Sequence, residues 1–313
     1  MSSGELRINA GRLRTDIDAL AQIGRQENHG IYRMAFSDAD MAGRDWLRQR
    51  IADSELEFYQ DGAANLHARL NWDGNVPSVI AGSHMDTVPG AGHLDGALGV
   101  VCALEALRVL KESGVALQRP LEAVSFSDEE GRFGGLFGSQ SVAGLVTPEY
   151  LHAACDLDGI SLVEAMAQQG LDAREALHAQ RNPDSIHAYV ELHIEQGPVL
   201  DRRGLSIGVV DAITGLFKWE IRLSGAANHA GTTPMDQRQD ALLGAADLVR
   251  AVNRVVTSIP GSQVATVGRI QASPGAPNVI PGEVTLSIEI RALEMDRIQE
   301  VMDGIRLEAN EIG

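Results

Sequence analysis

Cysteine is scarce in this chain of 313 residues, with only Cys102 and Cys155 present. Two cysteines without CxxC spacing argue against a disulfide framework and against a thiolate zinc motif. Cys102 sits in the apolar run Val100-Val101-Cys102-Ala103-Leu104, which predicts a buried free thiol. Basic residues are also in deficit, 26 against 43 acidic ones, for a net charge of −17. That balance argues against nucleic acid or an anionic membrane surface as a partner. No apolar run approaches the ~18 residues of a membrane-spanning helix. The polar start MSSGELRINAGRLRTD lacks the apolar core of a signal peptide. These absences together point to a reducing, cytoplasmic setting.

What is present reads as an ordinary globular protein, 44% hydrophobic and 22% charged. Its length suits roughly two domains of about 100–200 residues each. Asn9 can cap a helix carrying Leu13, Ile17, Leu20 and Ile23, and Ser37 can start another with Met41, Trp46, Leu47 and Ile51. Two short strands flank the Asp61-Gly62 turn between Leu56 and Leu70. A buried strand covers Val79 to Ala81, a helix Ala97 to Leu110, and a further strand Leu121 to Phe126. This alternation predicts an α/β domain with a mixed, largely parallel sheet flanked by helices.

Helix-rich sequence from Glu149 to Arg181 precedes Ala188 to Gly197, whose alternation predicts one face of Tyr189, Glu191, His193 and Glu195. Ser206 to Ile213 reads as another strand pair. From Thr214 the order becomes strand, helix, strand, strand, helix, a smaller ferredoxin-like α+β domain still owed its last strand at Gly313. The expected domains are therefore 1–213, a metal-binding catalytic domain, and 214–313, a lid or dimerisation domain.

The chemistry gathers at presumed strand ends. The stretch IAGSHMDTVPGAGHLDGALG delivers His84 and Asp86 at the end of one strand and Asp95 just before a helix. Read alone, His84 and Asp86 are better explained as a hydrogen-bonded loop pair. Ser127-Asp128-Glu129-Glu130-Gly131 follows the strand that ends at Phe126. Adjacent carboxylates there can divide the work, one binding metal and the other serving as general base. With His193, the residues His84, Asp95 and Glu130 make a nitrogen-and-oxygen ligand set suited to zinc, manganese or cobalt. Asp86 is placed to hold the other nitrogen of His84 from the second shell.

The motifs HMDTVP, HLDGALGV, SFSDEEGRF, GSQSVAG, HIEQGPVLD, NHAGTTPMDQRQDAL and PNVIPGEVTLSIEIR resemble those of the N-carbamoyl-amino-acid hydrolase and allantoate amidohydrolase family, within the aminoacylase-like two-metal hydrolases. The likeness runs from about residue 10 to the end, and its fold is zinc-aminopeptidase-like. Two departures are visible: Gly131 and Arg132 are adjacent where the family usually has a residue between them, and PGAG stands where PNGG is frequent.

The resemblance implies two divalent metals per subunit. Asp95 would bridge them, His84 and His193 would complete the first, Glu130 would bind the second, and Glu129 would be the base. It also implies a carboxylate-bearing small-molecule substrate contacted by Gln196, an oxyanion-stabilising His229, and Asn278 with Arg291 on the substrate carboxylate. In relatives the histidine matching His229 reaches the partner subunit's site, which implies a homodimer through the small domain. Water attack on a carbamoyl or amidine-type carbon would release ammonia, carbon dioxide and an amino acid, or ammonia and a ureido acid. The family's late metal-binding histidine has no counterpart here, so the resemblance predicts a complete first metal set, an incomplete second one, and a missing C-terminal return segment. The alternatives are a dipeptidase or aminoacylase of the same fold, or an inactive fragment that dimerises or binds ligand.

Overall fold

Asn9 and Ser37 start the first two long helices, as their positions predict, each accepting a backbone N–H of the first turn. The computed structural model describes residues 6–312. The chain divides into two units, Met1–Gly204 and Leu205–Gly313, the division falling ahead of the 213/214 boundary.

In the first unit α1 (Ala10–Leu20) is followed by the short antiparallel pair β1 (Arg25–Gln26) and β2 (Gly30–Ile31), then α2 (Asp38–Asp53). After these come β3 (Glu57–Gln60), β4 (Leu66–Leu70), β5 (Ser78–His84), α3 (Ala97–Ser113) and β6 (Leu121–Phe126). Three short helices, α4 (Phe137–Val142), α5 (Pro148–Ala153) and α6 (Leu162–Gln168), lead to β7 (Ile186–Val190) and α7 (Val199–Arg203). The sheet order is β3-β4-β6-β5-β7. It is mixed: β5 runs parallel to both β6 and β7, while β3-β4 and β4-β6 are antiparallel.

Leu20, Leu47, Ile51, Leu66, Val101 and Leu104 belong to one core between the long helices and the sheet. Phe36, Phe133, Phe137, Leu151, Leu162 and Met166 build a second core around the segment that follows β6. Cys102 is only partly buried, because it lies at the margin of the buried stripe of α3, and Cys155 is exposed. No helix among the described residues is long and apolar enough to cross a membrane.

In the second unit β8 (Gly215–Ser224), β9 (Asn228–His229), α8 (Ala241–Ser258), β10 (Val264–Ser273), β11 (Val279–Ile280), β12 (Glu283–Ala292) and α9 (Met295–Ile312) follow in order. The sheet order β10-β12-β8, with β12 antiparallel to both neighbours, is the split β-α-β arrangement expected. Val284, Leu286, Ile288 and Ile290 point from β12 into a core with Leu248, Val252, Val301 and Ile305 of the two helices.

One expected strand pair is not formed and one expected strand is shorter. Ser206 to Ile213 carries no strand, since it finds no ladder partner among the described residues, and Val209, Val210 and Ile213 stay exposed. β7 stops at Val190 instead of running on to Gly197. It is the edge of its sheet, and the chain turns away at Gln196, which takes a left-handed φ of 53°. The Glu195 carboxylate accepts the N–H groups of Val199 and Leu200 at the start of α7, so Glu195 does not share a face with His193.

Candidate metal centre

Because β5, β6 and β7 are parallel neighbours, their carboxyl ends open on one side of the sheet. His84 is the last residue of β5, and Glu129 and Glu130 follow the end of β6. The register Ala81↔Val190, continued past the end of β7, brings His193 level with His84. Their rings lie 6.1 Å apart between centroids. Asp95 completes the group from the turn that opens α3.

His84, Asp95 and His193 each offer a ligand atom, all within 4.8 Å of one another. Glu130 is not within that trio. His84 Nδ1 lies 3.0 Å from the Asp86 carbonyl and His193 Nδ1 lies 2.8 Å from that of Ile194. A carbonyl only accepts, so each Nδ1 carries a proton and donates, and in the neutral ring, the form that binds metal, each Nε2 is a bare lone pair. His193 Nε2 then faces Asp95 Oδ1 at 3.2 Å, and His84 Nε2 faces Glu129 Oε2 at 3.4 Å. With neutral rings both contacts set acceptor against acceptor, a conflict that either a proton on Nε2 or a cation relieves. Asp95 Oδ1 and Glu130 Oε1 are also buried without a hydrogen-bond donor. Lone pairs that converge once the rings are neutral fit a divalent cation, and the two-imidazole, one-carboxylate set suits zinc, manganese or cobalt.

Asp86 works differently from the expectation. Its carbonyl, not its carboxylate, holds the His84 ring, and Oδ1 stays 3.9 Å from Nδ1. The carboxylate instead accepts the backbone N–H groups of Glu129 and Glu130 at 3.3 and 3.1 Å. The backbone beyond the strand end explains this: the carbonyl of residue i+2 reaches back to the ring while the side chain extends to the loop that follows β6. Gln196 donates from Nε2 to Asp95 Oδ2 at 2.7 Å, so the glutamine of HIEQ does reach the ligand set.

Three residues that the sequence reading passed over shape this site. Arg33, fully buried, donates to the carbonyls of Met85, Leu20 and Ile23 and so pins the turn after His84. Gly96, at φ 60°, lets the backbone lie directly on the His84 ring. Asn65 holds the start of the glutamate loop by accepting the Ser127 N–H. Of the three, only Gly96 carries a signal in the sequence, as the glycine of HLDG.

The carboxylates crowd one another. Burial pushes Asp86 up to about 6 against the pull of His84, and pushes Asp128 up to about 8 with the charge of Asp86 adding to it. Burial raises Glu130 to about 7, and Asp95 and Glu129 add to it while His84 opposes. Burial also resists charging of His84, but Asp86, Glu129 and Glu130 outweigh it and raise its pKa.

A pH dependence follows. Unfolded carboxylates titrate near about 4, so between about pH 5 and about pH 8 the metal-free fold holds protons that the unfolded chain has lost. The raised imidazole acts in the same direction. Metal-free stability should therefore fall as pH rises through that window, and added zinc or manganese should raise the melting temperature more at about pH 8 than at about pH 5.5, since ligands must be deprotonated to bind. Thermal melts at the two pH values, with and without cation, check this. A flat metal-free profile would contradict it.

In the second unit β9 pairs with β11, placing His229 opposite Val279, and Ala230 N–H donates to the Asn278 carbonyl. His229 Nδ1 accepts from Gly231 N–H at 3.0 Å, so its proton sits on the exposed Nε2, available as a donor. Arg238 fixes this loop through the carbonyls of Ala230 and Thr233. Arg291 lies elsewhere. β11 leads into the Glu283 end of β12, and Arg291 stands eight residues along, about 26 Å at the usual strand rise. There its Nε donates to Glu289 Oε1 at 2.7 Å. Within one chain, then, Asn278 neighbours His229 but does not pair with Arg291.

The sequence profile of peptidase family M20/M25/M40 matches residues 80–283, a span that holds every ligand candidate above. The chain is 37% identical over 309 residues to the N-carbamoyl-L-amino-acid amidohydrolase of Paenarthrobacter aurescens, covering 98% of this chain and 75% of that protein. It is 37% identical over 300 residues to the allantoate deiminase of Arabidopsis thaliana, covering 88% and 57%. The chain belongs to the N-carbamoyl-amino-acid hydrolase and allantoate amidohydrolase family. Among solved structures of similar fold, the crystal structure of AtUAH in complex with (S)-hydroxyglycine has a TM-score of 0.89 at 35% identity, covering 98% of this chain and 75% of that one. Like these amidohydrolases, this family member is a hydrolase of carbon–nitrogen bonds other than peptide bonds.

Proposed function

We propose that this protein hydrolyses a linear C–N bond of an N-carbamoyl-L-amino acid, allantoate or a similar ureido acid. The observation that carries the proposal is the convergence of His84, Asp95 and His193, each offering one ligand atom within 4.8 Å of the others, with the Glu129 carboxylate beside His84. A divalent cation held by His84, Asp95 and His193 would supply Lewis acidity and lower the pKa of water. Asp95, shared with Glu130, would serve a second cation whose ligand set is smaller.

The chain's own groups then have separate tasks. Glu129, its side chain 34% exposed, takes the proton from the attacking water and delivers it to the departing nitrogen. The water oxygen becomes bonded to the carbamoyl carbon as the bond from that carbon to nitrogen breaks. Gln196, fixed on Asp95, orients the substrate. The Nε2–H of His229 donates to the oxyanion, and Asn278 and Arg291 bind the substrate carboxylate. The distance between Asn278 and Arg291 along one chain supports a homodimer in which one copy supplies His229 and Asn278 and the other supplies Arg291. A cytoplasmic setting accords with the scarcity of cysteine.

A panel of N-carbamoyl-L-amino acids, allantoate and ordinary dipeptides, assayed with added manganese, zinc or cobalt, tests the reading. Ammonia release from at least one carbamoyl or ureido acid and none from dipeptides is expected. Dipeptide cleavage alone would replace this reading with a peptidase.

A further inference from the structure

The loop carrying Glu129 and Glu130 leaves β6 at Ser127 and returns at Gly138 in α4, and one side chain holds both points. Asn65 Oδ1 accepts from Ser127 N–H at 2.9 Å, while Asn65 Nδ2 donates to the Gly138 carbonyl at 3.1 Å and to Asp61 Oδ2 at 2.8 Å. Both amide protons and the amide oxygen are used, and Asn65 is fully buried. Asp61 in turn is fixed by accepting the N–H groups of Ala63 and Asn65 through Oδ1. Between the two points the loop closes on itself: Gly138 N–H donates to the Ser127 carbonyl at 2.8 Å and Leu136 N–H to that of Glu129 at 3.1 Å. A Cβ at Gly138 would overlap both Asn65 Oδ1 and Ser127 N, so the backbone packs directly on the amide.

We propose that Asn65 is a positioning residue that clamps the two ends of the Ser127–Gly138 loop and thereby sets where Glu129 and Glu130 stand. This rests on the roles given to those two glutamates above. The geometry asks for an amide in particular. An aspartate would keep the acceptor for Ser127 but lose both donors and oppose Asp61, and an apolar residue would leave a buried N–H and C=O unpaired. The Asp86 carboxylate accepts the backbone N–H groups of those two glutamates, so the segment just beyond Ser127 is held by Asn65 at its base and by Asp86 along its length.

Hydrogen exchange and cation titration of Asn65→Ala test the proposal. Amides of residues 127–138 should exchange about tenfold faster or more, while those of α3 and β4 keep their protection. Affinity for zinc or manganese should fall about tenfold. The double variant Asn65→Ala/Glu130→Gln should bind the cation no more weakly than Glu130→Gln alone, because Asn65 acts only through that loop. Unchanged exchange in the loop, a uniform rise across the first unit, or fully additive affinity losses would each overturn the clamp. Should Asn65→Ala not fold, Gly138→Ala breaks the same contact from the other side and is read by the same exchange criterion. If Glu130→Gln leaves cation affinity unaltered while the loop loosens in Asn65→Ala, the metal reading fails and the clamp stands.

Discussion

Gly96→Ala should abolish tight cation binding at the His84–Asp95–His193 site while leaving the fold recognisable. Gly96 opens α3 with φ 60° and ψ −48°, a conformation that costs a residue with a Cβ on the order of 1–3 kcal/mol. The larger effect is steric. The new methyl would land on Cε1, Nε2 and Cδ2 of His84. The ring has no room to yield, since it is 2% exposed and its Nδ1 is tied to the Asp86 carbonyl. Either His84 turns its Nε2 away or the Asp95-Gly96 turn shifts and takes Asp95 with it. Both outcomes remove a ligand from a set of three, for an expected loss of at least about 100-fold in affinity, the upper end of what disturbing a ligand's supports alone does. Calorimetric titration with zinc and metal analysis of the purified protein measure it. One equivalent bound at undiminished affinity would show that the backbone approach at Gly96 does not organise the site.

Glu129→Gln should act on turnover alone. The substitution keeps size and the ability to accept a hydrogen bond but removes the proton acceptor, and general-base catalysis is worth about 10²–10⁴-fold. Glu129 Oε2 lies 3.4 Å from His84 Nε2 and its side chain is partly exposed to solvent. A drop of that size in kcat, with KM and metal content near those of the parent protein, is expected on whichever carbamoyl or ureido acid is the best substrate. Glu130→Gln makes the contrast, because Glu130 is the more buried carboxylate, coupled by charge to Asp95, and its loss should show first in cation binding. Less than a tenfold fall for Glu129→Gln, or an equal loss of metal from both variants, would remove Glu129 from the role of base.

Local chemistry was legible where neighbours along the chain decide it. Asn9 and Ser37 cap their helices through side-chain contacts within three residues. The alternation of Val284, Leu286, Ile288 and Ile290 gives the buried face of β12 directly. The strand from Leu121 to Phe126, the helix after Asp95 and the order of the second unit's sheet follow from pattern in the same way. Ligand types were legible too, because histidine and paired acids at strand ends are few and their spacing is informative.

Pattern failed where partners lie far along the chain. Alternation alone carries β7 to Gly197, but a strand lasts only while a neighbour pairs with it, and Glu195 is drawn off to the start of α7. Ser206 to Ile213 has strand composition and no ladder. The sequence by itself determined the succession of the long helices and principal strands, a two-part organisation, and His84, Asp95, Glu129, Glu130 and His193 as the candidate set. Only the tertiary structure decided that the Asp86 carbonyl orients His84, that Asn65 clamps the glutamate loop and that Gly96 seats the ring. A buried donor or acceptor must find a partner, and which partner it finds depends on the chain segments that folding brings across it.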